Sequence, residues 1–353
     1  MKKAGYRSRW PFITILVILF LLLFFVIVFA VCTGSANIKA EEAIRLLLAK
    51  IPLLGQGIDC TESIINNHAL IVYQVRLPRI LLAMLVGMAL SITGAAFQGL
   101  FRNPLADPHI LGVSSGAALG ATFAMLSGAG IQFLGLGAVG IAAFAGALIT
   151  VFIVYQIAGI GAGRKTVHLL LTGTAISSFL SALMSLLMTR HQETLEKVYL
   201  WTLGSFSSAT WDKVLFLILF VMVGALLLML LSRELNLLSV GEDTAGTLGV
   251  SIQRVRKLII ISGSLLVAAS VAVSGVIGFV GLIVPHCVRL LFGSNHERLM
   301  PASMLVGAIF MILCDTIART VTAPSEIPVG VVTSLFGAPY FIYLLYREKA
   351  GQA

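Results

Sequence analysis

The stretch VRLPRILL holds two arginines, Arg76 and Arg79, at the mouth of a long apolar run. A guanidinium is always charged and presents a planar fork of donors, so a carboxylate gripped bidentately is its best partner. Beside hydrocarbon such a charge is costly unless it is paired or reaches water. Snorkelling to the headgroups is the plain alternative for both residues. Far along the chain, Asp315 is the one acid well inside an apolar run, and Arg319 follows four residues later. That spacing suits an ion pair on one helix face.

Little else suggests bond-making chemistry. The histidines at 68, 109, 168, 191, 286 and 296 are scattered, with no HExxH and no GxSxG turn. GAGRKT (161–166) lacks the adjacent Gly-Lys-Ser/Thr and the preceding strand that a phosphate-binding loop needs, and reads as a basic loop. Cys32, Cys60, Cys287 and Cys314 show neither a CxxC pair nor a zinc pattern and read as thiols. Residues 110–163 contain no Asp, Glu, Lys or Arg, whereas an ion-coupled carrier wants ionisable groups at mid-membrane.

The elements that must position these residues are membrane helices. Of 353 residues, 58% are hydrophobic and only 11% charged, with a mean hydropathy of +1.01. A soluble domain carries about 25% charged residues, so the net charge of +9 reflects topology rather than nucleic-acid binding. At ~20 apolar residues per span, ten spans are expected: 12–32, 80–99, 111–128, 134–158, 168–188, 213–232, 257–277, 280–293, 301–318 and 329–346. The first reads as an uncleaved helix rather than a signal peptide. The eighth is short, contains Pro285 and follows Gly275, Gly278 and Gly281, so a broken or partly re-entrant helix is expected there.

An even number of spans puts both termini on one side. With the N-terminus inside, the inner segments carry 15 bases against 6 acids, and the outer segments 9 against 9. The whole excess lies on one face, which sets the orientation and places Arg76 and Arg79 outside.

Between the spans, outer residues 33–75 include an amphipathic stretch, KAEEAIRLLLAKIPLL, and outer residues 189–212 a short helical piece, LEKVYLWTLG. Inner residues 233–256 read as short helices that pack on a partner. FRNPLADPHILG (101–112) is broken by Pro104 and Pro108, and Asn103 and Asp107 are placed to bond the freed backbone. It is either a turn or a stiff loop at the inner mouth of a pore. Gly112, Gly116 and Gly120, with Gly135, Gly137, Gly140 and Gly146 further on, allow close helix approach. They serve packing within one chain, or else a pathway wall or subunit interface.

Four blocks carry a resemblance along nearly the whole chain. They are RLPRILLAMLVGMALSITGAAFQGLFRNPLADPHILGVSSGAALG (76–120), LLLTGTAISS (169–178), SVGEDTAGTLGV (239–250), and GVIGFVGLIVPHCVRLLFGSNHERLMPASMLVGAIFMILCDTIAR with EIPVGVVTSLFGAPYFIYLL (275–345). In this order they resemble the FecCD-type permeases, the membrane subunits of ABC importers for iron–siderophore complexes, haem and vitamin B12.

The resemblance implies an all-α, ten-helix permease of the type II ABC importer architecture, a single domain over 1–353 in a bacterial or archaeal cytoplasmic membrane. Its implied partners are a second copy in a homodimer, two ATP-binding cassette ATPase subunits and an extracytoplasmic substrate-binding protein. ATP and magnesium would sit on the ATPases, with no cofactor, metal or nucleic acid on this chain. Arg76, Arg79 and Arg319 would form the docking surface for glutamates of the binding protein. Gly241, Ala245, Leu248 and Gly249 would contact the ATPase, with Glu242 and Asp243 set to meet its basic groups. Asn103, Leu105, Lys165 and Thr166 would form the inner constriction, although GAGRKTVH departs from the family there. The expected cargo is a ferric siderophore, with haem or a corrinoid as the substrate-level alternative and an ion-coupled carrier as the alternative class.

Overall fold

The computed structural model describes residues 12–34, 38, 40–49, 68–128, 130–133, 135–160 and 166–350. Its helices are α1 (Phe12–Cys32), α2 (Ala40–Ala49), α3 (His68–Leu100), α4 (Val113–Ser127), α5 (Ala138–Ile157), α6 (Thr166–Arg190) and α7 (Leu195–Thr202). They continue with α8 (Trp211–Leu230), α9 (Ser232–Val240), α10 (Glu242–Thr247), α11 (Ile252–Ser274), α12 (Val280–Phe292), α13 (His296–Thr320) and α14 (Val329–Ala350). A small antiparallel hairpin, β1 (Gln132–Phe133) with β2 (Leu136–Gly137), precedes α5 and has no counterpart among the sequence expectations.

This is a multi-pass membrane protein. Seven helices are long and apolar enough to cross a bilayer: α1, α3, α5, α6, α8, α11 and α13. The shorter apolar helices α4, α12 and α14 fall where the third, eighth and tenth spans are expected.

The second span differs from expectation at its start. The charges at 76 and 79 suggest a boundary near 80, yet the described helix already runs from His68. It is continuous because both arginines are buried with partners inside the protein. A π-helical stretch, Ile71–Arg76, widens the backbone just before Pro78. Proline cannot donate to the carbonyl four residues earlier and its ring crowds that oxygen, so the wider turn accommodates it.

Helix α3 is the centre of the bundle and is buried along most of its length. It crosses α13 where two glycines meet. A Cβ on Gly87 would lie 2.2 Å from the Gly307 carbonyl oxygen, so the backbones themselves are in contact. Helices α4 and α5 pair in the same way, since a Cβ on Gly116 would lie 2.5 Å from the Gly146 carbonyl oxygen. These small residues therefore serve packing within one chain.

Two irregular segments lie within the bundle and face each other. The chain breaks between α11 and α12, where Gly275 and Phe279 both take positive φ. The 13-residue α12 that follows is ~20 Å long, too short for a ~30 Å hydrocarbon core. Opposite it, the loop 101–112 climbs along α3. Pro108 and the Leu90 carbonyl both pack at Gly281, so the loop reaches ten residues, ~15 Å, back along α3 from Leu100. That climb explains why α4 has only 15 residues. His109 joins the segments: its Nε2 lies 3.0 Å from the Ile277 carbonyl and its Nδ1 2.5 Å from Ser114 Oγ. Non-helical backbone at membrane depth is tolerated where protein satisfies it in this way.

Candidate functional site

At one end of the bundle, α1, α3, α13 and the loop before α14 bring Arg76, Arg79, Asp315, Arg319 and Glu326 together. Arg79 donates to Asp315 through Nε (3.0 and 3.1 Å) and Nη2 (2.9 Å). Its Nη1 donates to both oxygens of Glu326, at 2.8 and 2.9 Å. Arg319 Nε lies 3.7 Å from Asp315 Oδ2, so the i,i+4 pair is present but is the looser partner of that acid. Arg76 Nη1 donates to the Val31 carbonyl at 2.6 Å, and Arg319 Nη2 to that of Ala30. Those carbonyls belong to the last turn of α1, where acceptors lack helical donors and the dipole favours cations.

The three expected docking arginines thus share one end, but they point inward. Arg76, Arg79 and Arg319 are 4%, 8% and 7% exposed, and Asp315 is 1% exposed. Glu326 is the surface member of the cluster, with its side chain 39% exposed. Sequence reasoning missed Glu326 and the α1 carbonyls. The available signal was that Glu326 is the only acid between Asp315 and Glu348.

At the opposite end, α9 and α10 form a bent pair between α8 and α11. Gly241 separates the two helices in extended backbone. Ala245 is fully buried, whereas Leu248 and Val240 are 62% and 72% exposed. Gly249, at φ +85°, ends α10. Its N–H donates to the Gly246 carbonyl and the Val250 N–H reaches back to that of Ala245, each at 3.0 Å. This is a Schellman cap, which needs the left-handed residue. Glu242 accepts from Arg256 Nη2 at 2.8 Å and lies 3.7 Å from Arg102 Nη2. Its charge is thus engaged within the chain, while Asp243 is exposed.

The same end is wired into the core. Asn236 of α9 accepts from the His296 N–H at 2.8 Å, faces His296 Nδ1 at 2.9 Å and donates to Asn295 Oδ1 at 2.9 Å. His296 is 3% exposed and wedges against Gly99 of α3. One residue away on α3, Gln98 donates to the Leu282 carbonyl at 3.0 Å and accepts from Arg289 at 2.9 Å. Gln98 also faces the Gly281 carbonyl at 3.5 Å, the acceptor that Pro285 leaves without its helical donor.

The expected gate residues are spread along two segments. Asn103 Oδ1 accepts from the Leu105 N–H at 2.9 Å and Asp107 Oδ1 from the His109 N–H at 2.7 Å, so both side chains hold the loop backbone. Leu105 is half-buried, Thr166 opens α6, and Lys165 lies outside the described residues. Helix α6 adds a feature that sequence reasoning did not single out. Thr174, Ser178, Ser181, Ser185 and Thr189 are all exposed and recur every three or four residues along one face of a membrane-crossing helix. Thr174, Ser185 and Thr189 return their hydroxyls to backbone carbonyls four residues earlier.

The profile of the FecCD transport family matches residues 21–347. The cobalamin import system permease protein BtuC of Halobacterium salinarum is 45% identical over 286 residues, covering 80% of this chain and 75% of its own. The molybdate import system permease protein MolB of Haemophilus influenzae is 40% identical over 333 residues, covering 94% of this chain and 95% of its own. Among solved structures, an ABC transporter of metal-chelate type in an inward-facing conformation superposes with a TM-score of 0.78 at 36% identity, covering 95% of this chain and 99% of that one.

Proposed function

The chain belongs to the FecCD transport family as an ABC importer permease, and on that premise we propose that it carries a ferric siderophore or similar iron chelate inward. The observation that carries the ATPase-driven importer reading is the α9–α10 pair, an apolar-tipped element at one end of the bundle, joined to the core through Asn236 and His296; the cargo rests on the family resemblance. An ATPase seated on Val240, Leu248 and Asp243 would pull on α13 and α3 through that joint. Two ATP-binding cassette subunits would hold ATP and magnesium, and closing on ATP would tilt the helices.

The charge asymmetry supports a cytoplasmic α9–α10 end and cytoplasmic termini, in the bacterial or archaeal membrane that the family resemblance implies. The arginine end then faces outward, toward an extracytoplasmic binding protein. Arg79 already holds Glu326 from the surface side, so an acid of the binding protein would displace Glu326 to reach it. Arg76 and Arg319 would hold the helix ends in place beneath this contact. The hydroxyl stripe of α6 suits a wall of the pathway between two copies, because a small polar face gains nothing from lipid and a bulky cargo slides over it without tight binding. Asn103, Leu105, Lys165 and Thr166 would narrow the inner mouth.

The relatives named above are described for cobalamin, molybdate and metal chelates, which fits a cargo selected mainly by the binding protein. Haem or a corrinoid is the second reading, favoured by the relative at 45% identity. An ion-coupled carrier is disfavoured, because the deeply buried Asp315 is already held by Arg79.

Co-purified permease, ATPase and binding protein in proteoliposomes should hydrolyse ATP faster when the binding protein is loaded with a ferric siderophore. Stimulation by haem or cobalamin alone would move the assignment to the second reading. Absence of stimulation by all three, with uptake driven by an ion gradient, would overturn it.

A further inference from the structure

A cavity of about 480 Å³ opens among α4, α5, α7, α8 and the end of α11. It lies at the arginine end: Trp211, two residues before Lys213 of its wall, donates through Nε1 to the Tyr73 carbonyl, one turn before Arg76. Its polar side is made by Lys197, Lys213, Ser205, Ser207 and Ser208, with Trp201 beside them, and aliphatic groups close the opposite wall. The volume is that of a small-molecule site.

The two lysines give this cavity its sign. Neither forms an ion pair among the described residues. Lysines at a membrane surface usually reach outward to water or headgroups. Lys213 instead turns to the cavity wall, donating to the Ser208 carbonyl at 2.8 Å and to Ser208 Oγ at 2.7 Å. Ser205 Oγ donates to Ser207 Oγ at 3.0 Å, which leaves the Ser207 hydroxyl proton available. The Lys213 ammonium, the exposed Lys197 on the same lining, a hydroxyl donor and an aromatic wall are a recognition set for a compact anion. Here the cations are point charges that need no fixed fork.

We propose that this cavity binds a small anion bearing carboxylate or phosphate groups. The same chemistry is presented by a soluble polycarboxylate and by the headgroup of an anionic lipid. This proposal does not depend on the transport assignment, because it is read on the permease alone.

The full-length permease would be placed in phosphatidylcholine nanodiscs and titrated with citrate, following tryptophan fluorescence and binding heat. In parallel, phosphatidylglycerol retained on purification would be counted by native mass spectrometry. Saturable citrate binding that weakens at least about tenfold in Lys197→Gln/Lys213→Gln, and returns in Lys197→Arg/Lys213→Arg, supports the site with a soluble ligand. Retained phosphatidylglycerol that is lost in the first variant and returns in the second supports it with a lipid. If neither probe binds, or binding ignores both lysines in protein of unchanged melting temperature, the proposal fails.

Discussion

Arg79 spends its donors on two carboxylates of unequal standing. Asp315 is sealed in the bundle, whereas Glu326 reaches in from the surface. Removing one member of a buried pair strands the other, at a cost of about 3–5 kcal/mol, so Arg79→Glu would report a collapsing core rather than a docking defect. Glu326→Gln is the cleaner probe. It should leave the melting temperature nearly unchanged, since partly exposed pairs contribute about 0–1 kcal/mol. It should also lower the Kd for the binding protein by freeing one fork of Arg79. An unchanged Kd in calorimetry would show that Glu326 does not compete. The arginines and Asp315 were legible in the sequence from their unusual places beside apolar runs. Their true pairing was not, because Arg79 and Asp315 lie 236 residues apart and the i,i+4 neighbour looked sufficient.

At the scale of elements, prolines and glycines decide where helices stop, and polar side chains repair the consequences. Pro285 leaves a carbonyl to be satisfied, and Gln98 answers across the α3–α12 contact. Gln98→Leu should therefore leave the Gly281 carbonyl and Arg289 short of partners, costing about 1–3 kcal/mol per buried group. The readout is a lower melting temperature in detergent, and an unchanged one would contradict it. Gly249→Val should act locally. The left-handed conformation costs a Cβ-bearing residue about 1–2 kcal/mol, enough to fray α10. Ligand-stimulated ATPase activity should fall while expression and membrane insertion are retained. The short, proline-broken eighth span was readable from its composition. The climb of residues 101–112 was not, because a loop's depth is set by what it packs on, here Gly281, and no local pattern encodes that.

For the whole molecule, the α6 hydroxyl stripe is the surface whose surroundings matter most. Facing a water-filled pathway, Ser178→Cys or Ser185→Cys should react with a membrane-impermeant maleimide in a background lacking the four native cysteines. Phe152→Cys on α5, an exposed site on an uninterrupted apolar helix suited to lipid, should not. Equal labelling of all three would remove α6 from the pathway wall. The ten apolar segments were readable from hydropathy; among the described residues seven of them are helices long enough to cross a bilayer and three are shorter. The assignment of faces was not readable, since a stripe of serines and threonines reads as ordinary until the neighbouring helices show which side is left open.

The grip of Arg319 on the Ala30 carbonyl joins residues 289 positions apart, and this has a consequence for biosynthesis. At translation rates of about 5–20 residues per second, α13 emerges roughly 15–60 s after α1. Through that interval α1 can hold Arg76 of α3, but its contact with α13 has still to form. Its composition allows this, because it is the most apolar of the seven long helices and has no ionisable side chain except the terminal Cys32. The Val31 carbonyl meets Arg76 early, whereas the Ala30 carbonyl waits at the membrane surface, where water can serve it, until Arg319 arrives. The first helix is thus inserted early and fastened late. A ribosome stalled before α13 should leave α1 in the membrane with Ala30 still open to a lipid-phase crosslinker, which no longer reaches it once α13 has followed.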